Sequence, residues 1–324
     1  MSASPNDVEI IGPDGVSVGV VRRPPPPIRR LWLHLAFLGL TTLFTTLYGA
    51  VAFGPQAQGY ELQLWWGFLI PPAVALRILL TPALLFEGLS FSLPLMAILL
   101  THEAGHFIAC RLHRLDATLP LFLPVPFGIG TLGAFIRIRS PLANKRELFD
   151  VGASGPLAGF VATLPVLVAG IALSQPVSQL PTGGYLSFGE PLAFRAVELV
   201  IHPELARGGD LLLHPMGFAA WFGLLVTALN LLPFGQLDGG HITYALFGRL
   251  QRRWSWLLLI GLAAMGTLWV GWWVWLAVAV FMGVRHPWIP DEAARLDTRR
   301  SVLGWICVAV FVLCFTPVPV SLVP

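Results

Sequence analysis

The sequence predicts a polytopic α-helical membrane protein, with about six transmembrane helices plus a membrane-associated β-hairpin region near the candidate active site. Three observations carry this. Hydrophobic residues make up 56% of the 324-residue chain and charged residues only 11%, against about a quarter charged in soluble domains. The apolar residues fall in blocks at 31–53, 89–112, 151–173, 211–233, 254–284 and 302–320, most of them near the roughly 20 residues that cross a hydrocarbon core. Between the second and third blocks, residues 119–140 are rich in Pro and Gly and end on an alternating run, which suits strands and not a helix.

Residues 1–30 are polar and hold a run of four prolines from Pro24 to Pro27, so a flexible cytoplasmic tail is expected. Arg22, Arg23, Arg29 and Arg30 precede the first block, which places the N-terminus in the cytoplasm by the positive-inside rule. That block is too long for the apolar core of a cleaved signal and is read as a retained span. Residues 31–86 then comprise this first transmembrane helix and an interfacial or re-entrant segment. Within it, 62–86 is apolar but interrupted by Pro71, Pro72, Arg77 and Pro82, and it is expected not to cross.

Residues 87–324 form the core with its C-terminal helices. The 89–112 helix descends to the cytoplasm, 111–150 is cytoplasmic, 151–173 returns outward, 174–210 is external and 211–233 comes back. The 254–284 block is long for one span. Gly266 and Gly271 permit a helical hairpin there, which returns 285–300 to the cytoplasm. With this topology all 20 Lys and Arg except Arg77, Arg195 and Arg207 are cytoplasmic. The basic balance thus sets orientation, and no nucleic-acid partner is implied. Cys110, Cys307 and Cys314 all lie in apolar blocks. They match neither a disulfide framework nor a metal-site spacing and read as small buried hydrophobes.

The second block holds His102-Glu103-Ala104-Gly105-His106. Residues four apart share a helix face, so both imidazoles can grip one ion. Glu103 lies beside them as a general base, which is the zincin pattern. Ionisable groups inside a span are functional candidates by default, although histidines can also serve as polar glue between helices. A catalytic zinc needs a third protein ligand. Cys110 continues the row, but three ligands on consecutive turns extend over about 12 Å of a straight helix and cannot share an ion. The best candidate is Asp238, in "NLLPFGQLDGGHI" at 230–242. It follows the helix break at Pro233, and Gly239 and Gly240 allow close backbone approach. Both His102 and Asp238 are expected in the cytoplasmic half of the membrane. His241 is the rival ligand.

These motifs carry a resemblance. With "HEAGH" at 102–106, "GASGPLAGF" at 152–160, "NLLPFGQLDGG" at 230–240 and "GTLGAFIRIRSP" at 130–141, the chain resembles the site-2 protease family, in the branch without a PDZ domain. The similarity covers roughly residues 85–320. It implies an intramembrane metalloprotease core with one Zn2+ per chain held by His102, His106 and Asp238, and Glu103 as catalytic base. It also implies that Asn230 binds or polarises substrate near the zinc. The implied substrates are single-span membrane proteins, cut within or near their transmembrane segments in regulated intramembrane proteolysis. The implied setting is a bacterial-type cell membrane.

Two other readings compete. A metal-ion transporter would place ionisable groups on both halves of a pathway and often show repeated halves. Here those groups cluster at one level without an internal repeat. An inactive scaffold would have no use for Glu103.

Two remaining motifs fit the same reading. The spacing Gly155-x-x-x-Gly159 allows close helix approach, so 151–173 is expected to back the active-site helix. Phe135, Ile136, Arg137, Ile138 and Arg139 alternate at period two and are expected to form a strand. A substrate helix must unwind to be cut, and unwound backbone in lipid loses its hydrogen bonds at several kcal/mol per group. A strand edge at Phe135, Ile136 and Ile138 could replace those bonds by strand addition. Only one of the Ile136 and Ile138 amides is expected to face substrate. The alternative is a hairpin that merely packs on the membrane.

Overall fold

The computed structural model describes residues 7–11, 17–22, 30–53, 70–177, 185–283, 289, 291 and 295–323. Its described residues are mostly helical, with short two-stranded antiparallel sheets between the helices in sequence.

The N-terminal stretch differs from the expected flexible tail. Strands β1 (Asp7–Ile11) and β2 (Ser17–Arg22) pair antiparallel, with Val8 opposite Val21 and Glu9 opposite Val20. The β-branched residues suit a pleated surface, and the intervening Gly12-Pro13-Asp14-Gly15 has turn composition.

Helix α1 (Leu31–Phe53) follows the first apolar block. Of the interrupted segment 62–86, residues 62–69 lie outside the described residues, α2 (Pro72–Leu80) is a short helix, and the remainder belongs to the next element. That element, α3 (Pro82–Leu112), starts earlier than the expected position 89. Thr81 is extended and Pro82 occupies the first turn, where a missing N–H has no helical partner to lose. Proline therefore starts this helix instead of interrupting it.

Strands β3 (Leu121–Pro124) and β4 (Thr131–Phe135) pair antiparallel, with Leu121 opposite Phe135 and Phe122 opposite Ala134. Helix α4 (Lys145–Ala172) is capped by Asn144, whose side chain accepts from the Arg146 and Glu147 amides. Beyond it come β5 (Gln175–Val177), β6 (Tyr185–Phe188), α5 (Leu192–Ile201) and β7 (Asp210–Leu212), which pairs with β5. Helix α6 (Pro215–Asn230) leads through a turn to α7 (Asp238–Phe247). The block 254–284 is two helices, α8 (Gln251–Met265) and α9 (Gly271–Met282). Helix α10 (Thr298–Cys314) precedes β8 (Val320–Val323), which pairs with β6.

Among the described residues three helices are long and apolar enough to cross a membrane: α1, α3 and α4. The block expected to span at 211–233 is the 16-residue α6, which reaches about 24 Å at 1.5 Å per residue, short of the roughly 30 Å core. It stops because the chain turns at Pro233 toward Asp238.

Small residues set the helix spacing, as membrane bundles require when packing replaces the hydrophobic drive. Helix α1 meets α3 where Gly49 faces Gly88, and Thr46 Oγ1 lies 2.7 Å from Ser92 Oγ. A Cβ on Gly105 of α3 would stand 2.5 Å from the Ser154 carbonyl of α4. Gly170 of α4 packs on Gly217 of α6. At the opposite end of α4, Asp150 accepts from Arg300 Nε at 2.7 Å and Nη2 at 2.6 Å, and lies 2.8 Å from His113 Nε2. The C-terminus of α3 and the N-terminal turns of α4 and α10 therefore share one level.

Candidate active site

His102, Glu103 and His106 are all buried on α3. The helix repeat brings the two Nε2 atoms to 3.2 Å. Asp238, the first residue of α7, places Oδ2 at 3.3 Å from His102 Nε2 and 3.2 Å from His106 Nε2. Zinc bonds of about 2.0–2.1 Å to nitrogen imply ligand separations of about 3.3–3.4 Å along the edges of a tetrahedron. The three donors thus already form one face of such a tetrahedron, and the donor set fits the ion. Among the described residues this is the group of His, Cys, Asp and Glu able to hold a metal. His241 packs its Cβ toward Gly152 and stands outside that group, as does buried Cys110.

The ring of His106 is oriented from α4. Its Nδ1 lies 2.7 Å from the Val151 carbonyl. The N–H therefore sits on Nδ1 and donates to that carbonyl, leaving Nε2 for the ion, the usual second partner of a metal-binding histidine. Glycines make the room. A Cβ on Gly155 would overlap the His106 imidazole, and one on Gly159 would stand 2.9 Å from His102 Nδ1. The "GASGPLAGF" segment thus backs the active-site helix through the two rings themselves.

Asp238 is delivered by the turn after α6. A Cβ on Gly239 would overlap the Leu231 carbonyl, and one on Gly240 would stand 2.5 Å from that of Gly235. The turn is also held from α8, where Gln251 Nε2 donates to Ser255 Oγ at 2.9 Å and Ser255 donates to the Pro233 carbonyl at 3.0 Å. Asn230, the last residue of α6, has Nδ2 3.3 Å from His102 Nε2. The sequence reading missed Val151, Gln251 and Ser255. A backbone carbonyl leaves no sequence signal. The Gln251/Ser255 pair, two polar residues four apart at the head of an apolar helix, did leave one.

The run 135–139 departs from the single expected strand. β4 ends at Phe135, which is partly exposed, and the extension is irregular. The register places Pro120 next, opposite Ile136, and proline has no N–H for a ladder. Pairing resumes at Ile138, bridged to Ala117. There the Arg139 amide donates to the Asp116 carbonyl at 2.8 Å, and the Arg137 amide donates to Thr118 Oγ1 at 2.9 Å. Residues two apart share a side, so the Ile136 and Ile138 amides both turn away from 116–118. This corrects the expectation that only one of them faces outward. Ile136 and Ile138 pack on the cluster that Ala109 and Cys110 of α3 form with Val151.

A profile of peptidase family M50 matches residues 90–265, more than half of the chain. The chain is also 30% identical over 294 residues to a protein of Oryza sativa subsp. indica named probable zinc metalloprotease EGY2, chloroplastic, with 88% of this chain and 48% of that protein covered. For the Arabidopsis thaliana protein of that name the identity is 30% over 242 residues, covering 73% and 43%. For Arabidopsis thaliana probable zinc metalloprotease EGY1, chloroplastic, it is 28% over 251 residues, covering 72% and 44%. The chain spans about half the length of the curated relatives it matches. No solved structure matches it significantly. Because the matched region runs continuously from before His102 to beyond Asp238, taking in both halves of the metal cluster, the chain belongs to peptidase family M50, the site-2 protease family.

Proposed function

We propose that this chain is an intramembrane zinc-dependent endopeptidase that cuts single-span membrane proteins within or near their transmembrane segments. The observation that carries the reading is the buried Glu103 carboxylate, next in sequence to one of the three donors of the cluster. His102 Nε2, His106 Nε2 and Asp238 Oδ2 would hold the ion. When bound, zinc supplies a Lewis acid that polarises the scissile carbonyl and acidifies water. Glu103 takes the proton of the attacking water on a carboxylate oxygen and delivers it to the leaving nitrogen. Asn230, beside His102, donates its amide to the substrate carbonyl. The edge at Phe135, Ile136 and Ile138 holds the unwound peptide by backbone pairing.

Glu103→Gln tests the reading in protein reconstituted into vesicles with a labelled single-span substrate. Zinc content is expected to stay near that of wild type, while cleavage falls by about 10²–10⁴, the usual worth of a general base. Zinc flux that persists in the variant would favour a transporter. A wild-type protein that loads zinc yet cuts no single-span substrate would favour a scaffold.

The strand edge has its own test. Proline at Ile136 or at Ile138 removes an outward donor, and both variants are expected to lower turnover about tenfold or more. Valine at either position keeps the donor and is expected to be mild. Near-normal turnover in both proline variants, at normal zinc content, would leave the hairpin as a packing element only.

We further infer a multi-pass protein with its N-terminus in the cytoplasm and residues 111–150, 241–253 and 285–300 entered from the same side, the β3–β4 hairpin dipping back along α1. The positive-inside skew supports this, as does the common level of His113, Asp150 and Arg300. The relatives carry chloroplast names and lend no support to the bacterial-type cell membrane that the resemblance implied. Lys145→Cys is expected to resist an impermeant thiol reagent applied from outside. The three native cysteines are buried, so background labelling is low. Strong external labelling at that position would invert the topology.

A further inference from the structure

Helix α1 lies outside the matched region 90–265, yet it holds the β3–β4 hairpin at both ends. At the turn, the Tyr48 hydroxyl donates to the Pro126 carbonyl. Next to it, Gly130, with φ +86, lies so close that a Cβ would stand 2.5 Å from the Thr45 amide nitrogen. At the open end, His34 Nδ1 lies 3.1 Å from the Pro120 carbonyl. His34 and Tyr48 are about 21 Å apart along the helix, so the hairpin lies lengthwise on α1.

We propose that α1 positions the hairpin against the active-site helix, and that Tyr48 is the positioning residue that fixes its turn and, through it, the alignment of the Ile136 edge with Glu103. This rests on the protease reading above. Helix α3 carries the base and α1 carries the hairpin. The two helices are referenced to each other by the Thr46–Ser92 bond and the Gly49–Gly88 approach. Ile136 closes the circuit by packing on the cluster that holds Ala109 and Cys110 of α3.

Packing grips the turn at Gly130 but not at Gly128. Gly128 has open space where a side chain would be, and Gly128 and Ile129 face a small apolar cavity lined also by Tyr48, Phe53, Phe91 and Phe218. A turn that borders a void can shift at little cost in contacts. The directional bond from the part-buried Tyr48 hydroxyl to the Pro126 carbonyl must break in such a shift. The hydroxyl of Tyr48 therefore matters more here than its ring.

Tyr48→Phe removes only that hydroxyl. Two measurements on full-length protein in phosphatidylcholine vesicles test the proposal: hydrogen–deuterium exchange, and cleavage of a single-span substrate with kcat expressed per bound zinc. In the variant, amides of residues 121–131 are expected to exchange about fivefold faster while those of α3 are unchanged. kcat per zinc is expected to fall about tenfold with KM shifted less than about twofold, the signature of lost alignment at the reacting centre. A merely structural loss would lower the zinc-loaded fraction and leave kcat per zinc intact. Thr42→Val, which removes only a hydroxyl bonded to the Leu38 carbonyl within α1, is expected to leave kcat per zinc within about twofold. Unchanged exchange in Tyr48→Phe would overturn the proposal, and so would faster exchange with kcat per zinc unaltered. If wild type cuts nothing, the protease reading has failed, and the exchange result alone decides whether Tyr48 fixes the hairpin.

Discussion

Asp238→Ala, His102→Ala and His106→Ala are each expected to strip zinc from the protein and to lower peptide hydrolysis by a factor on the order of 10³ or more. The three donors sit 3.2–3.3 Å apart, so removing any one leaves two donors for an ion that takes three from the protein in a catalytic site. The Asp238 variant is the most informative. The histidines belong to one helical repeat, whereas Asp238 reaches them from 132 positions beyond His106 and only by virtue of the turn after α6. Zinc counted by mass spectrometry, alongside cleavage of a single-span substrate, reads both effects. Full zinc and activity in Asp238→Ala would place the third ligand elsewhere, with His241 the next to substitute.

Gly155→Ala is expected to damage the site nearly as much, although Gly155 offers no donor. Its Cβ would overlap the His106 imidazole, and that ring cannot simply turn aside because its Nδ1 is held by the Val151 carbonyl at 2.7 Å. Either α4 withdraws, losing that hydrogen bond, or the ring leaves the cluster. Loss of such supporting contacts costs about 10–100-fold in metal affinity, and cleavage is expected to fall at least as far. Gly261→Ala is the matched control. Gly261 lies in α8 with nothing within 4 Å of the added methyl, so helix propensity gains roughly 0.5–1 kcal/mol and melting is expected to stay level or rise. Wild-type zinc affinity in Gly155→Ala would mean that α4 does not press on the histidine ring.

Much of the fold could be read because lipid permits few solutions. An apolar block near 20 residues must be helical when no water can satisfy its backbone, and α1, α3 and α4 follow the blocks at 31–53, 89–112 and 151–173. The histidine pair was legible for the same local reason, since a spacing of four fixes a shared face. What failed was equally local. Pro82 looked like an interruption and is a helix start. The polar N-terminus looked like a tail and holds the β1–β2 pair. The alternation at 135–139 looked like one strand, but Pro120 across the hairpin removes a donor and breaks the ladder at Ile136.

The sequence by itself determined the chemistry available: two imidazoles on one turn, a base beside them, a distant carboxylate followed by two glycines, and a glycine-spaced helix to pack closely. Those are properties of residue type and short spacing, which the chain carries wherever it folds. Only the tertiary structure decided that Asp238 and not His241 joins the two histidines, which carbonyl orients His106, and that α1 bears the hairpin. Each of these joins elements far apart in sequence by a single backbone group or a few ångströms of clearance. Spacing rules act within one helix or strand, so contacts of that kind exist only once the helices have packed.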